Sequence, residues 1–276
     1  MSGKLYVVGT PIGNLGDLSP RAAETLANVD FIAAEDTRVT VKLLNHLGVK
    51  TPMVSYHEHN KASRHESIAA RIEAGETCAL VTDAGMPAVS DPGEDIVRYC
   101  RERGLEVESV PGPSALITAL AISGMPSGRF CFEGFLTVNK PGRMAHLESV
   151  KNDTRTLIFY EAPHKLLGTL KDMLKVLGDR KIALCKELTK LHENCVRTTL
   201  EAAVQKYSEQ EPKGEFVIIV EGVSEVEQTG QPTLEDAVKT AKELMDSGLS
   251  PTAAAKEAAN LTGLRKNEIY RALLKI

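Results

Sequence analysis

Two short polar clusters carry the residue types that could move a proton or steady an oxyanion. The first, Glu35-Asp36-Thr37-Arg38, follows the apolar run Phe31 to Ala34. The second, Lys186-Glu187-Leu188-Thr189-Lys190-Leu191-His192-Glu193, follows the apolar run Ile182 to Cys185. Each sets carboxylates beside cations. A carboxylate can orient or accept a hydroxyl proton, and an adjacent cation can stabilise an alkoxide or hold a phosphate. Glu35 or Glu187 is therefore a candidate orienting or basic carboxylate, with Arg38 and Lys186 as candidate partners of an alkoxide or a phosphate backbone. Structural duties compete for the same residues. Asp36 suits a helix N-cap, and mixed charges after a buried strand suit a solvated hairpin end. Capping explains Arg38 less well, because a cation in a first helical turn opposes the helix dipole.

Three glycine loops follow apolar runs: GTPIG (9–13), DAGMP (83–87) and PGPSA (111–115). In an open parallel sheet, ligands sit beyond the carboxyl ends of the strands, where such loops lie. A triphosphate loop needs G-K-[ST] and a dinucleotide loop needs G-x-G-x-x-G. Neither pattern is present, and Pro11 removes an N–H that an anion cradle would use. A ligand with few phosphates, or none, fits better; ordinary strand-to-helix turns are the alternative.

Elements that would position these groups can be read from punctuation and periodicity. Over the first ~110 residues, strand and helix signals alternate. LYVV is a strand, and Ser19-Pro20 opens a helix as N-cap and first residue. DFIAAED is a strand, RVTVKLLNHL a helix closed by Gly48, and PMVSY a short strand. Lys61 to Ala74 is a helix closed by Gly75, and CALV a buried strand. Pro92 opens a helix that Gly104 ends; LEVESV is a strand, and Ser114 to Ile122 a helix. Near-continuous apolar strands argue for a parallel α/β sheet. From about Pro126, RFCFEGFL, TRTLIFYEA, KIALCKEL, NCVRTTL and GEFVIIVEG are strands, with a helix over His164 to Leu177. Two of these strands lie close together, as in a hairpin, so a second α/β domain with a mixed sheet is expected. The boundaries read as 1–113 and 114–224, a polar linker at 225–232, and a helical piece at 233–276. In the last, Leu234, Ala237, Val238, Ala241, Leu244 and Met245 form one stripe.

The ordered set VGTPIGNLGDLSPRA, AEDTR, VTDAGMPAVSDPG, VPGPSAL, YEAPH, KELTK-HE and KGEFVIIVEG resembles the tetrapyrrole-methylase superfamily of S-adenosylmethionine-dependent methyltransferases. Within it the chain is most similar to the branch that methylates the 2′-hydroxyl of a cytidine in the decoding region of 16S rRNA. GTPIG and TDAGMP depart from the loops of the porphyrinoid branches. The resemblance implies two α/β domains with the donor between them, a homodimer, and a 16S rRNA or small-subunit substrate; transfer from a donor already activated by its positive charge is expected to require no metal. It implies donor contacts from Thr10 and Pro11; from Asp83, Ala84, Gly85, Met86 and Ser90; and from Ser114 and Ala115. In the second domain it implies Tyr160, Glu161, Ala162, Pro163, Gly214 and Glu215. Met86 and Pro163 would suit an adenine ring, and peptide groups at glycine turns the amino-acid end. His164 could line that pocket or serve as a cap.

RNA contacts are expected from Lys190 and His192, and from the tail, where a helix-turn-helix is legible. Ala259, Gly263 and Ile269 have the spacing of a close approach, a turn and a packing residue. The second helix would start near Lys266 and bury Ile269, Leu273 and Leu274, leaving Arg265, Lys266, Asn267 and Arg271 outward. Residues 247–276 hold five basic residues, Lys275 among them, and two acidic ones, in a chain of 276 residues with net charge −4. A local basic surface is what phosphate contact requires; a dimerisation or docking module is the alternative. His57, His59 and His65, in a polar stretch, are expected to be exposed or RNA-facing.

Bulk properties frame these readings. Hydrophobic residues are 42% and charged residues 25%, as in soluble globular proteins. No apolar run approaches the ~18 residues of a membrane helix, and no signal segment is evident, so a cytoplasmic protein is expected. The five cysteines show no C-x-x-C spacing and are expected mostly to pack as small apolar residues. Two rivals remain: a methyltransferase for a tetrapyrrole precursor, which would not need the tail, and a ligand-sensing helix-turn-helix regulator.

Overall fold

Local chemistry sets most element boundaries in the computed structural model of the chain, which describes residues 3–58, 60–223 and 234–274. β1 (Lys4–Val8) runs into the first glycine loop. α1 (Pro20–Asn28) starts at its proline, and Ser19 Oγ accepts from Ala22 N at 3.1 Å. β2 (Phe31–Ala34), α2 (Thr37–Leu47), β3 (Met53–Ser55), α3 (Lys61–Glu73), β4 (Thr77–Val81), α4 (Glu94–Glu102) and β5 (Glu106–Val110) alternate as expected. Gly48 closes α2 in the left-handed conformation, φ 69°. α4 begins at Glu94 rather than Pro92. Gly93, at φ 150°, breaks the helical path, and a β-carbon there would lie 3.0 Å from Leu80 Cδ2.

These strands form an all-parallel sheet, β3-β2-β4-β1-β5. Strand parity divides its core. Leu5, Phe31, Ala33, Cys78 and Leu80 face one side, and Val8, Ile32, Ala34, Ala79 and Val81 the other. Both faces are covered, which explains why β2 is apolar at every position.

The second sheet follows α5 (Ala115–Ser123). Its elements are β6 (Phe130–Phe135), α6 (Lys140–Ser149), β7 (Thr156–Glu161), α7 (Pro163–Leu177), β8 (Lys181–Lys186), β9 (Asn194–Thr199), α8 (Leu200–Glu209) and β10 (Phe216–Val220). The order is β6-β7-β10-β8-β9; β6 and β7 are parallel and the other pairs antiparallel, so the sheet is mixed and β8–β9 is a hairpin. Leu116, Ala119 and Leu120 of α5 pack on Ile158, Ala183, Val217 and Ile219 of this sheet. The helices α6 and α8 were not anticipated, although Pro141 and the N-cap Thr199 mark their starts.

The chain divides into two compact units, and both sheets belong to the first. The second comprises Lys151–Thr154 and the chain from Gly222. Its helices are α9 (Leu234–Asp246), α10 (Pro251–Thr262) and α11 (Lys266–Leu273). Ser250 Oγ accepts from Ala253 N, and Gly263 turns the chain at φ 72°. Ala237, Ala241, Ala254, Ala255, Ala258 and Ile269 form a core of small residues closed by one branched side chain. Leu234 and Leu274, expected in the apolar faces, are instead 44% and 68% exposed because they lie at helix ends beyond that core. The linker 225–232, Thr233, His59, Lys275 and Ile276 lie outside the described residues.

Among the cysteines, Cys78 and Cys100 are buried as small apolar groups and Cys131 is half-buried. Cys185 and Cys195 depart from that expectation: they face each other in the β8–β9 register and are joined as a disulfide. His57 and His65 are half-buried rather than exposed; the His65 ring packs on Tyr99 with centroids 4.6 Å apart. No helix among the described residues is long and apolar enough to cross a membrane.

Candidate functional site

The three glycine loops meet one another. A β-carbon on Gly9 would lie 2.6 Å from Gly112 Cα and 2.7 Å from Met86 Sδ. Thr10 and Gly85 form a two-way backbone bridge, with Thr10 N donating to Gly85 O at 2.9 Å and Gly85 N to Thr10 O at 3.1 Å. Thr10 Oγ1 also donates to Thr82 O at 3.1 Å. The first loop's tight backbone is thus used to pack its neighbours, and the strapped loops form one rigid floor.

Above this floor lies a cavity of about 390 Å³, within the range of cofactor-sized sites. The first sheet's loops contribute Ile12, Glu35, Thr82 to Met86, Val89 to Asp91, and Ser114 to Leu116. The second sheet contributes Phe135, Tyr160 to Ala162, Glu187, Leu188, Lys190 and Glu215 to Val217. Leu116, Phe216 and Val217 form a buried apolar wall. Tyr160 ties the two sides together: its hydroxyl accepts from Leu116 N at 2.9 Å, capping α5, whose N-cap Ser114 makes no side-chain bond. Burial pushes the Tyr160 phenol up to about 12, partly offset by that hydrogen bond.

Six carboxylates line this cavity against one ammonium: Glu35, Asp83, Asp91, Glu161, Glu187 and Glu215 beside Lys190. Such a lining favours a ligand of positive charge and repels phosphates. Glu35 Oε2 accepts from Thr82 Oγ1 at 2.5 Å and from Asp83 N at 3.3 Å. Burial, then the charge of Glu35, raises both Asp83 and Asp91 above ordinary aspartate values. Glu161 is committed to structure: Thr169 Oγ1 donates to it at 2.5 Å and Ala162 N at 2.9 Å.

Glu187 sits in the left-handed region at φ 51°, and Thr189 two residues on at φ 66°. Non-glycine residues in that region mark stored strain. Lys190 Nζ donates to Glu187 Oε1 at 3.1 Å, and Glu215 N at 3.3 Å. Burial pushes the Glu187 carboxyl up, but these bonds and the charges of Lys190 and His192 outweigh it and hold it below the usual range. Gly214, at φ 83°, backs the side chain: a β-carbon there would lie 2.6 Å from Glu187 Cγ.

The structure therefore brings together Glu35, Glu187, Asp83 to Met86, Ser90, Ser114, Ala115, Tyr160 to Ala162, Lys190 and Glu215. It does not bring Thr10, Pro11, Pro163, Gly214, Arg38, Lys186, His164 or His192 to the cavity wall. Thr10 and Gly214 support residues that do line it, and Pro163 opens α7. Arg38 turns back on Asp36 through three side-chain hydrogen bonds, and its side chain is 88% exposed. Its guanidinium holds the Asp36 carboxyl down at about 2, and Asp36 also caps α2 by accepting from Arg38 N. Sequence reasoning missed Thr82, Asp91, Val89, Ile12 and Phe135. Asp91, in the SDPG stretch four residues beyond Pro87, was the legible signal; for Phe135 the local signal was Gly134, an isolated glycine inside a strand run, which marks a bulge without saying which side chain it re-aims. In the second unit, Arg265, Lys266, Asn267 and Arg271 are exposed, as expected.

Comparison with known proteins adds to this geometry. The profile of the Tetrapyrrole (Corrin/Porphyrin) Methylases matches residues 4–204, and that of the RsmI C-terminal HTH domain matches residues 231–276. The chain is 44% identical to "Ribosomal RNA small subunit methyltransferase I" of Synechocystis sp., over 99% of this chain and 98% of that protein. It is 44% identical to the protein of the same name from Escherichia coli O157:H7, over 99% and 95%. A third, from Thermotoga maritima, is 45% identical over 80% of this chain and 99% of its own length. Among solved structures, diphthine synthase superposes with a TM-score of 0.62 at 13% identity, over 80% of this chain and 90% of that one. Uroporphyrin-III-C-methyltransferase from Thermus thermophilus superposes at 0.57 and 19%, over 82% and 98%. At such identities the solved structures speak to the fold alone.

Proposed function

Since this chain belongs to the tetrapyrrole (corrin/porphyrin) methylase family, we propose that it is the S-adenosylmethionine-dependent methyltransferase that methylates the 2′-hydroxyl of a cytidine in the decoding region of 16S rRNA. One observation supports small-subunit rRNA as the acceptor, near full-length identity of 44% to proteins named as small-subunit rRNA methyltransferases; the cytidine 2′-hydroxyl is the expectation from the family resemblance. The carboxylate-rich cavity supports the donor. S-adenosylmethionine supplies a methyl group on a sulfonium sulfur, activated by that positive charge. Glu35, Asp83 and Asp91 offer the complementary charge. Leu116, Phe216 and Val217 with Met86 offer apolar walls, and the Ala84–Gly85 and Ser114–Ala115 steps offer peptide groups. The residues present fit this donor and fit a polyphosphate poorly.

Residues 1–113 and 114–224 are the two halves that flank the donor, and 233–276 is the RNA-binding module. The chain must align a ribose oxygen with the methyl carbon and keep water out. Glu187, ionised and fixed by Lys190 and Gly214, orients or accepts the hydroxyl proton, with Glu35 as the other candidate. Lys190 steadies the developing alkoxide. Arg38, Lys186 and His192, away from the cavity wall, contact the RNA backbone, as do Arg265, Lys266, Asn267 and Arg271. No step needs a metal. The enzyme is read as a cytoplasmic homodimer, the latter checked by light scattering.

The decisive experiment offers radiolabelled donor with naked 16S rRNA, assembled small subunits, a tetrapyrrole mixture and duplex DNA. Label in RNA alone, mapped to a ribose 2′-oxygen, is expected. Label in the tetrapyrroles, or DNA binding with no label anywhere, overturns the reading.

A further inference from the structure

Phe135 stands at the end of β6 on the cavity wall with 56% of its surface exposed. The deeper apolar wall of the same cavity is at most 7% exposed. Phe135 therefore belongs to the part of the cavity that a large substrate reaches. Its orientation is built into the backbone. Phe132 and Phe135 are three residues apart, an odd separation that sets side chains on opposite faces of a regular strand. Both rings nonetheless meet Tyr160 edge-on, at centroid distances of 4.9 and 5.4 Å and interplanar angles of 66° and 64°. The cause is a bulge between Phe132 and Gly134, where Gly134 takes φ 66° and the β6–β7 register shifts. One extra residue restores the shared face, and bulges of this kind re-aim side chains beside active sites. Tyr160 is itself fixed by Leu116 N, so the Phe135 ring leans on a rigid neighbour.

We propose that Phe135 is the stacking surface for the base of the acceptor nucleotide. The proposal rests on the RNA-methyltransferase reading above. Unpaired bases are commonly gripped on aromatic faces. A ribose presented to this cavity brings its base with it, and the surrounding carboxylates disfavour holding that nucleotide by its phosphates. An uncharged base against an exposed ring meets both constraints.

The test compares Phe135→Ala and Phe135→Tyr with the unaltered protein. Donor affinity is read by calorimetry, oligomeric state by light scattering, and KM for small-subunit RNA by methyl incorporation. Phe135→Ala is expected to raise the RNA KM by about tenfold while donor affinity stays within about twofold, and Phe135→Tyr to restore the KM. An intact donor isotherm reports that the variant is folded. An unchanged RNA KM overturns the proposal. So does a fall in donor affinity matching the KM change, which would give the ring to adenine, or a changed oligomeric state, which would give it to a second copy. If the unaltered protein labels no RNA, the underlying reading fails first, a result distinct from any seen only in the variants.

Discussion

Gly9 and Gly112 meet backbone to backbone, with room for a β-carbon on neither. A β-carbon on Gly112 would lie 2.8 Å from the Gly9 Cα and carbonyl carbon. Relief requires moving main chain, so Gly9→Ala is expected to destabilise by about 1–3 kcal/mol, in the range of overpacked cores. Thermal unfolding should show a drop of several degrees. Donor affinity should fall too, because Met86 is displaced. An unaltered melt and isotherm would show that the loops part without cost.

Gly214→Ala places a β-carbon against Glu187 Cγ and holds alanine at φ 83°. Glu187 should lose its hydrogen bond from Glu215 N. Turnover is expected to fall at least tenfold with donor affinity nearly unchanged. Single-turnover assays beside calorimetry separate the two, and Glu187→Gln should reproduce the loss.

Glu35→Gln removes a charge and leaves a side chain that can still accept from Thr82. If the carboxylates recognise a sulfonium, S-adenosylmethionine should weaken more than S-adenosylhomocysteine, which lacks that charge. A several-fold change in the affinity ratio is expected, shrinking at high salt. Equal weakening of both would assign Glu35 to the uncharged parts of the donor.

Asp83 and Asp91 are raised by burial and by Glu35. Their protonated forms are favoured in the fold, so the stability they contribute is full at acid pH and is lost as pH rises through the raised values. A cationic donor prefers the ionised forms, so affinity runs the other way. It should fall on acidification through a window lying above the ordinary aspartate value of 3.8. Asp91→Asn should flatten that fall in a calorimetric pH series.

Every residue of the cavity wall lies in the first compact unit. Removal of residues 231–276 is therefore expected to leave donor affinity intact. RNA binding should weaken and its salt dependence become shallower, because basic contacts are lost. The Thermotoga maritima relative is covered almost whole by four-fifths of this chain, so a shorter protein of this kind exists. Unchanged methylation of small subunits at limiting enzyme would remove the tail from substrate recognition.

The elements were legible because their signals are local. Ser19 before Pro20, Gly48 after Leu47 and Ser250 before Pro251 each satisfy or relieve backbone groups within one turn, whatever the rest of the chain does. The cavity floor was half legible, since loops after parallel strands must gather at one sheet edge. Phe135 was not, because where the Gly134 bulge aims it depends on pairing with β7, whose Tyr160 lies 25 residues further on across a helix.

Sequence alone determined the alternation of the first sheet's strands and helices, the mixed character of the second sheet though not its helices α6 and α8, the tail's turn at Gly263 and the family. Tertiary structure decided which charges meet. Arg38, three residues from the cavity's Glu35, turns away to Asp36, whereas Glu187 and Glu215, 28 residues apart, share Lys190. Turns and periodicity are settled by neighbours along the chain. Side-chain encounters are settled by how two sheets and their loops pack, and that packing is a property of the whole first unit.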